Sequence, residues 1–260
     1  MPALLAHCFL GHSGTWARLV EALETPLDAL AFDMPGHGRS PMPDSPGDFH
    51  ALVAGVVAGL VQRPSLMIGH SFGAASILRH ALHHPQDATG LVLIEPVFFA
   101  AAVGRPEYGP YRQQEQALRA AVVAGDLAGA ARQFLALNPG SPEYDTLPQP
   151  VQAAMAAQMR LVLATEAGLF NDSGGLLAPG VPERFTAPVL LVIGSETTPI
   201  FRATVGGLAE RLPRAEVVVI EGAGHMVPIS HAAQTAAAVQ GWLQRSGQVP
   251  VLQMEKPRVG

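Results

Sequence analysis

Six short apolar runs, separated for the most part by stretches of helical spacing, limit this chain to a small set of folds. The runs cover residues 3–8, 28–33, 65–69, 90–95, 188–194 and 215–220. Each is continuous rather than alternating, the pattern of a strand buried on both faces, and each is short for a buried helix. Residues 15–23, 52–62, 72–83, 202–212 and 232–244 carry the spacing of amphipathic helices between or after them. Strand, helix, strand in repetition calls for right-handed crossovers, so the core reads as a doubly wound α/β sheet, mostly parallel, of six strands.

One interval breaks the rhythm. Residues 100–187 separate two strands by far more than one crossover helix needs, and their Ala-rich stretches, punctuated by Gly and Pro, predict a small helical insertion. The expected division is therefore a core of residues 1–99 and 188–260 with a helical cap, 100–187, between its halves. A chain of 260 residues that is 48% hydrophobic and 14% charged can bury one large core. The tail, 246–260, reads as a loose or docked extension.

Charge and cysteine content narrow the function. A formal net charge of −5 leaves no basic excess for phosphate backbones or anionic lipids, so neither nucleic acid nor membrane is expected as a partner. The single cysteine, Cys8, cannot form an intramolecular disulfide. Residues 1–10 lack the basic start and long apolar run of a signal peptide, and no stretch of about 18 residues stays apolar, so a cytoplasmic protein is expected. No Gly-rich phosphate loop, dinucleotide fingerprint or zinc-type cysteine set is present, and no cofactor or metal is expected. His80 and His84 have the i, i+4 spacing of a metal pair but no acidic third ligand nearby, and they read as solvated helix positions.

Chemistry starts at Gly69-His70-Ser71-Phe72-Gly73, where a strand pattern ends and a helix pattern begins. A serine on such a turn takes a strained backbone conformation that pushes its hydroxyl clear, and glycines two residues to either side let neighbouring chain pass close. In a chain with 27 glycines the pattern alone is weak, and its setting is what raises it. Three further segments stand out: 7–16, beginning His7-Cys8-Phe9-Leu10-Gly11; 32–40, which carries Asp33-Met34-Pro35-Gly36-His37-Gly38-Arg39-Ser40; and 221–228, which carries Gly224-His225-Met226.

Together these four segments resemble the α/β-hydrolase family: its histidine-glycine loop after the first core strand, with Cys8 where glycine is usual, its Asp-x-Pro-Gly-His-Gly-x-Ser turn, its nucleophile elbow and its catalytic-histidine loop. The resemblance implies Ser71 as nucleophile, His225 as general base, and the backbone N–H groups of Phe9 and Phe72 as the oxyanion hole. It also implies a shortened sheet, because the chain starts almost directly at the histidine-glycine strand. Similar shortened members include plant-type methyl esterases and hydroxynitrile lyases. Most members carry the triad aspartate three residues after the glycine that closes the next-to-last core strand. Here that glycine is Gly194 and the position is Thr197. Two substitutes remain, Glu196 one residue short and Glu95 at the end of the strand after the elbow, where one branch of haloalkane dehalogenases is similar. A one-residue shift on extended chain reverses a side chain's direction, which favours Glu95.

The expected chemistry is acyl transfer on a small or medium, largely apolar carboxylic ester, through an acyl-enzyme. A carbon–carbon bond hydrolase, a perhydrolase, a lyase or a non-catalytic binding protein on the same scaffold are the alternatives, since fold alone does not choose. His12, Phe98, Phe134, Met159 and Met226 are the candidate substrate-pocket residues, and Phe99, Leu137, Met155, Leu161 and Phe170 could also line the pocket. Oligomeric state is not legible.

Overall fold

A computed structural model describes residues 1–249; most of the tail singled out above, 250–260, lies outside the described residues. The chain runs β1 (Pro2–Ala6), α1 (Ala17–Ala22), β2 (Asp28–Phe32), α2 (Phe49–Leu60), β3 (Ser65–His70), α3 (Phe72–His83), β4 (Ala88–Ile94), α4 (Tyr108–Val123), α5 (Leu127–Ala136), α6 (Gln149–Gln158), α7 (Glu166–Leu169), β5 (Val189–Gly194), α8 (Pro199–Ala209), β6 (Ala215–Ile220), α9 (Val227–Ser230) and α10 (Ala232–Arg245). The strands form one six-stranded sheet in the order β2-β1-β3-β4-β5-β6, every pair parallel.

Burial follows position in the sheet. β3 and β5 are buried at every residue, whereas the edge strands β2 and β6 keep several exposed positions, including Leu30, Val217 and Val219. Continuous apolar runs were therefore required only of the central strands. On one face Trp16, just ahead of α1, packs with Leu19 of α1 and with Val239 and Trp242 of α10 against Leu5, Ile68, Val92 and Val192. On the other, α2, α3 and α8 cover Leu4, Met67, Leu93 and Leu191 with Phe49, Phe72, Ile77 and Phe201. Each such side chain, fully buried, contributes about 1.5–3 kcal/mol.

Local chemistry moves two helix starts from where periodicity alone places them. α2 begins at Phe49 because the Asp48 carboxylate accepts from the Ala51 N–H, an N-cap that apolar spacing does not register. α8 begins at Pro199, whose fixed φ suits the first helical position. Between β4 and β5 the chain forms α4 to α7, and their buried residues, among them Tyr111, Leu118, Leu135 and Leu169, belong to the same apolar cluster as α2, α3 and α8.

Strand order reverses at β1, which is flanked by β2 on one side and β3 on the other. In a parallel sheet the loops leaving the two strands at such a reversal diverge, and they open a crevice at the carboxyl ends. Those loops here begin at His7 and Ser71.

Candidate active site

Ser71 lies between the last residue of β3 and the first of α3 with φ 56° and ψ −116°. Four non-glycine described residues have positive φ, and three of them, Leu10, Ser71 and Glu95, follow β1, β3 and β4 at this one end of the sheet. Each conformation costs of order 1–3 kcal/mol and persists only where surrounding structure enforces it. The flanking glycines supply that enforcement. A Cβ on Gly69 would lie 2.5 Å from the Ala74 Cα, and one on Gly73 would overlap the carbonyl oxygens of Ala6 and His7. α3 thus begins pressed against β1, and Ser71 is left on the turn with 4% of its surface exposed.

The structure brings together three residues far apart in sequence. His225 Nε2 is 3.0 Å from Ser71 Oγ, and His225 Nδ1 is 3.1 Å from Glu95 Oε2. A carboxylate accepts, so Nδ1 carries the imidazole proton and Nε2 is left to accept from the serine hydroxyl. Glu95 is fully buried, and its other contacts are donors: the Gly194 N–H reaches Oε1 at 2.7 Å and the Thr197 hydroxyl reaches Oε2 at 2.6 Å. Glu196, the alternative acid, lies in the turn after β5, where its N–H donates to the Ala223 carbonyl and its side chain is exposed to solvent. Thr197 is the residue that reading from sequence missed: it sits at the position expected for an acid and instead holds the acid in place.

Neighbouring loops are tied to this row. His70, buried and pushed down to about 3 by that burial and by His225, donates from Nε2 to the His225 carbonyl at 2.8 Å. The His225 N–H donates to the Pro139 carbonyl at 2.6 Å, and a Cβ on Gly194 would overlap the Ala223 carbonyl. Burial lowers His7 to about 4; its Nδ1–H meets the Cys8 carbonyl at 2.7 Å while Nε2 accepts from the Met34 N–H at 3.0 Å. Asp33 accepts from the N–H groups of Ser13 and Arg39; burial opposes its charge, but these donors outweigh it and hold the carboxyl well below its usual range. The histidine-glycine loop and the Gly-rich turn are in this way one hydrogen-bonded unit.

Two cavities meet at Ser71. A narrow one of about 50 Å³ is lined by Phe9, Phe72, Leu118, Phe134, Val162 and Phe170 among others, with Tyr111, Glu115 and Thr165 also on its wall. A wider cleft of about 420 Å³ carries His225, Met226, His12, Phe134, Met155 and Ile229. His12, Phe134 and Met226 therefore lie where the sequence suggested. Phe98 and Met159 do not: both are fully buried in the core cluster and line neither cavity, the adjacent Phe99 taking the narrow wall and Met155, one helical turn earlier, the cleft. Among residues read as solvated, His80 is buried and lies 3.0 Å from the Asp87 carboxylate. Among the described residues no three His, Cys, Asp or Glu side chains converge as a metal ion requires.

Comparison with known proteins agrees with this architecture. The model of the alpha/beta hydrolase family matches residues 3–238. A pimeloyl-[acyl-carrier protein] methyl ester esterase of Chromobacterium violaceum is 30% identical over 233 residues, 85% of each chain. A 2-(acetamidomethylene)succinate hydrolase of Mesorhizobium japonicum is 26% identical over 242 residues, 86% of this chain and 81% of that one. The solved 2-hydroxy-6-oxo-6-phenylhexa-2,4-dienoate hydrolase of a Rhodococcus species superposes with a TM-score of 0.70 at 19% identity, covering 94% of this chain and 90% of that one, which speaks to fold alone. With a six-stranded parallel sheet, an elbow at its reversal point and a family match over nearly the whole length, this chain belongs to the alpha/beta hydrolase family, a family of hydrolases.

Proposed function

We propose that the protein is a serine hydrolase that cleaves carboxylic esters through an acyl-enzyme, with Ser71 as nucleophile, His225 as general base and Glu95 as the acid that orients it. The observation that carries this reading is the hydrogen-bonded row Ser71 Oγ–His225 Nε2 and His225 Nδ1–Glu95 Oε2, closed by Thr197 and Gly194. A serine hydroxyl is a poor nucleophile at neutral pH, and a neutral imidazole in this tautomer removes its proton as the oxygen attacks the carbonyl carbon. Negative charge then moves to the former carbonyl oxygen. The Phe72 N–H stands at the first position of α3, where no helical carbonyl precedes it, and the Phe9 N–H lies in the loop opposite. Two such donors, with the positive end of the helix, stabilise the oxyanion, each by about 3–4 kcal/mol.

Collapse of the intermediate requires a proton on the departing oxygen, and His225 Nε2 supplies it. The leaving group accordingly lies on the His225 side, in the wider cleft, and the acyl group enters the narrow cavity that Ser71 shares with Phe9 and Phe72. Water then enters by the cleft, gives its proton to His225 and attacks the acyl carbon, releasing the acid and restoring Ser71. A cavity of about 50 Å³ suits a short acyl chain, whereas the cleft sets few limits on the alcohol. The segment between β4 and β5 acts as a cap that supplies most of the narrow cavity's lining and one side of the cleft's. The two curated relatives described above act on an ester and on an amide-bearing succinate according to their names, and both are hydrolases.

The test is a panel of p-nitrophenyl esters beside a fluorophosphonate probe. Wild type should turn over short-chain esters and take label on Ser71, with Ser71→Ala losing both. Label on another residue, or turnover that survives Ser71→Ala, rejects the reading.

A further inference from the structure

Helix α4 turns Tyr111, Glu115, Leu118 and Val122 inward, a spacing of four, three and four that places them on one face. Glu115 is the one charged residue in that stripe, and it is 5% exposed. Arg112 and Arg119 bond its two oxygens and also bond Glu166, so that two cations and two anions close a ring; the Arg112 guanidinium in addition lies 4.2 Å over the Phe170 ring.

Glu115, Tyr111 and Thr165 line the same narrow cavity as Ser71, while Arg112, Arg119 and Glu166 do not. The arginines occupy one lone pair on each Glu115 oxygen, which leaves acceptor sites unused. Burial pushes the Glu115 carboxyl above its ordinary range even against the two guanidiniums, as expected of a carboxyl with too few donors. Burial, with Glu115 near, likewise pushes the Tyr111 phenol upward, so it remains a neutral hydroxyl able to donate and accept.

Taking the ester-hydrolase reading as its basis, we propose that Tyr111 and Glu115 form the polar end of the acyl cavity and select acyl chains whose far end carries a neutral hydrogen-bond donor, such as a terminal hydroxyl. A methyl-ended chain would expel water from both groups and return no hydrogen bond, and buried polar sites discriminate strongly against analogues that leave them unpaired. A carboxylate-ended chain would bring like charge onto Glu115 in a poorly solvated place. A donor-ended chain satisfies the carboxylate and accepts from, or donates to, the phenol.

The experiment measures kcat/KM by pH-stat for methyl butanoate, pentanoate and hexanoate, for their ω-hydroxy counterparts, and for the monomethyl esters of succinic, glutaric and adipic acids. At the best-fitting length the wild type should prefer the hydroxy ester over both others by about tenfold or more, and Tyr111→Phe and Glu115→Gln should each shrink that ratio at least about threefold. Fluorophosphonate labelling of Ser71 reports whether each variant keeps its fold. A wild-type preference for the methyl-ended or carboxylate-ended ester overturns the proposal by itself, whatever the variants do, and leaves the ester reading intact. A ratio unchanged in both labelled variants also overturns it. No turnover of any of these esters overturns both readings.

Discussion

The Thr197 hydroxyl donates to Glu95 Oε2 across 2.6 Å, and that same oxygen lies 3.1 Å from His225 Nδ1. With the Gly194 N–H on the other oxygen, the carboxylate cannot rotate without losing a donor. Glu95→Gln presents an amide that can place N–H toward Nδ1 and so favours the wrong tautomer; kcat should fall by about 10³–10⁴. Thr197→Val removes one bond to a charged group and should cost about tenfold in kcat. Glu196→Gln should leave kcat near wild type. Steady-state kinetics of the three variants, with melting curves to confirm folding, check the assignment; a Glu95→Gln enzyme with near-normal turnover contradicts it.

Gly73→Ala should be among the most destabilising single-methyl additions in the chain, because its Cβ would overlap the carbonyls of Ala6 and His7 on β1 and force α3 away from the sheet. Overpacking of this kind costs about 3 kcal/mol or more where backbone must move. Gly55→Ala, in α2 with open space around it, should instead be neutral or slightly stabilising. Urea unfolding of the two variants measures the difference, and equal midpoints would speak against the packing described.

Stability should fall as pH drops below about 6.5. Burial disfavours the charged ring and pushes His7 and His50 down to about 4 in the folded protein and His70 down to about 3, against 6.5 for a solvent-exposed histidine. The unfolded chain therefore binds protons that the folded one refuses between pH 6.5 and about 4. Stability from these groups is present in full above 6.5 and is lost progressively on acidification, with a slope of about 1.4 kcal/mol per pH unit for each titrating histidine. Asp33, held below its ordinary range, adds loss in the same direction at lower pH, below 3.8. Urea-unfolding free energies measured between about pH 7.5 and 4.5 should hold nearly level down to about 6.5 and then decline; a profile flat throughout contradicts the neutral, buried state of these rings.

The assignment of acyl group to the narrow cavity and alcohol to the cleft is separable by mutation. Leu118→Ala enlarges the narrow cavity alone and should shift acyl preference to longer chains, at a stability cost of about 2–5 kcal/mol. Met155→Phe narrows the cleft alone and should lower kcat/KM for bulky alcohols with little effect on acyl length. Substrate profiles of both variants read this out, and the reverse pattern would exchange the two sites.

Much of the fold was legible because its signals are local. Continuous apolar runs located all six strands to within two residues at either end, and the helices after β3 and β6 matched their apolar spacing closely. What locality does not carry went unread. His80 looks solvated on helical spacing until Asp87, beyond the end of its helix, folds back onto it. Phe98 and Met159 are apolar residues near a pocket in sequence, but which of several adjacent apolar side chains faces a void depends on how the helices between β4 and β5 roll onto the core.

The sheet, the elbow and the loop carrying His225 can be read from the residues alone, because glycine spacing and apolar periodicity act over a few residues and leave few conformations open. Which carboxylate completes the row is not readable that way, since Glu95 directly follows β4 and Glu196 lies two residues past β5, at the same end of the sheet. Tertiary structure decided that: parallel pairing of β4 with β5 sets Ile94 opposite Val192, carries Glu95 beneath the Gly194 N–H and the Thr197 hydroxyl, and leaves Glu196 facing solvent. Register between strands about a hundred residues apart is a property of the packed sheet, and a carboxylate is held only where donors from another strand converge on it.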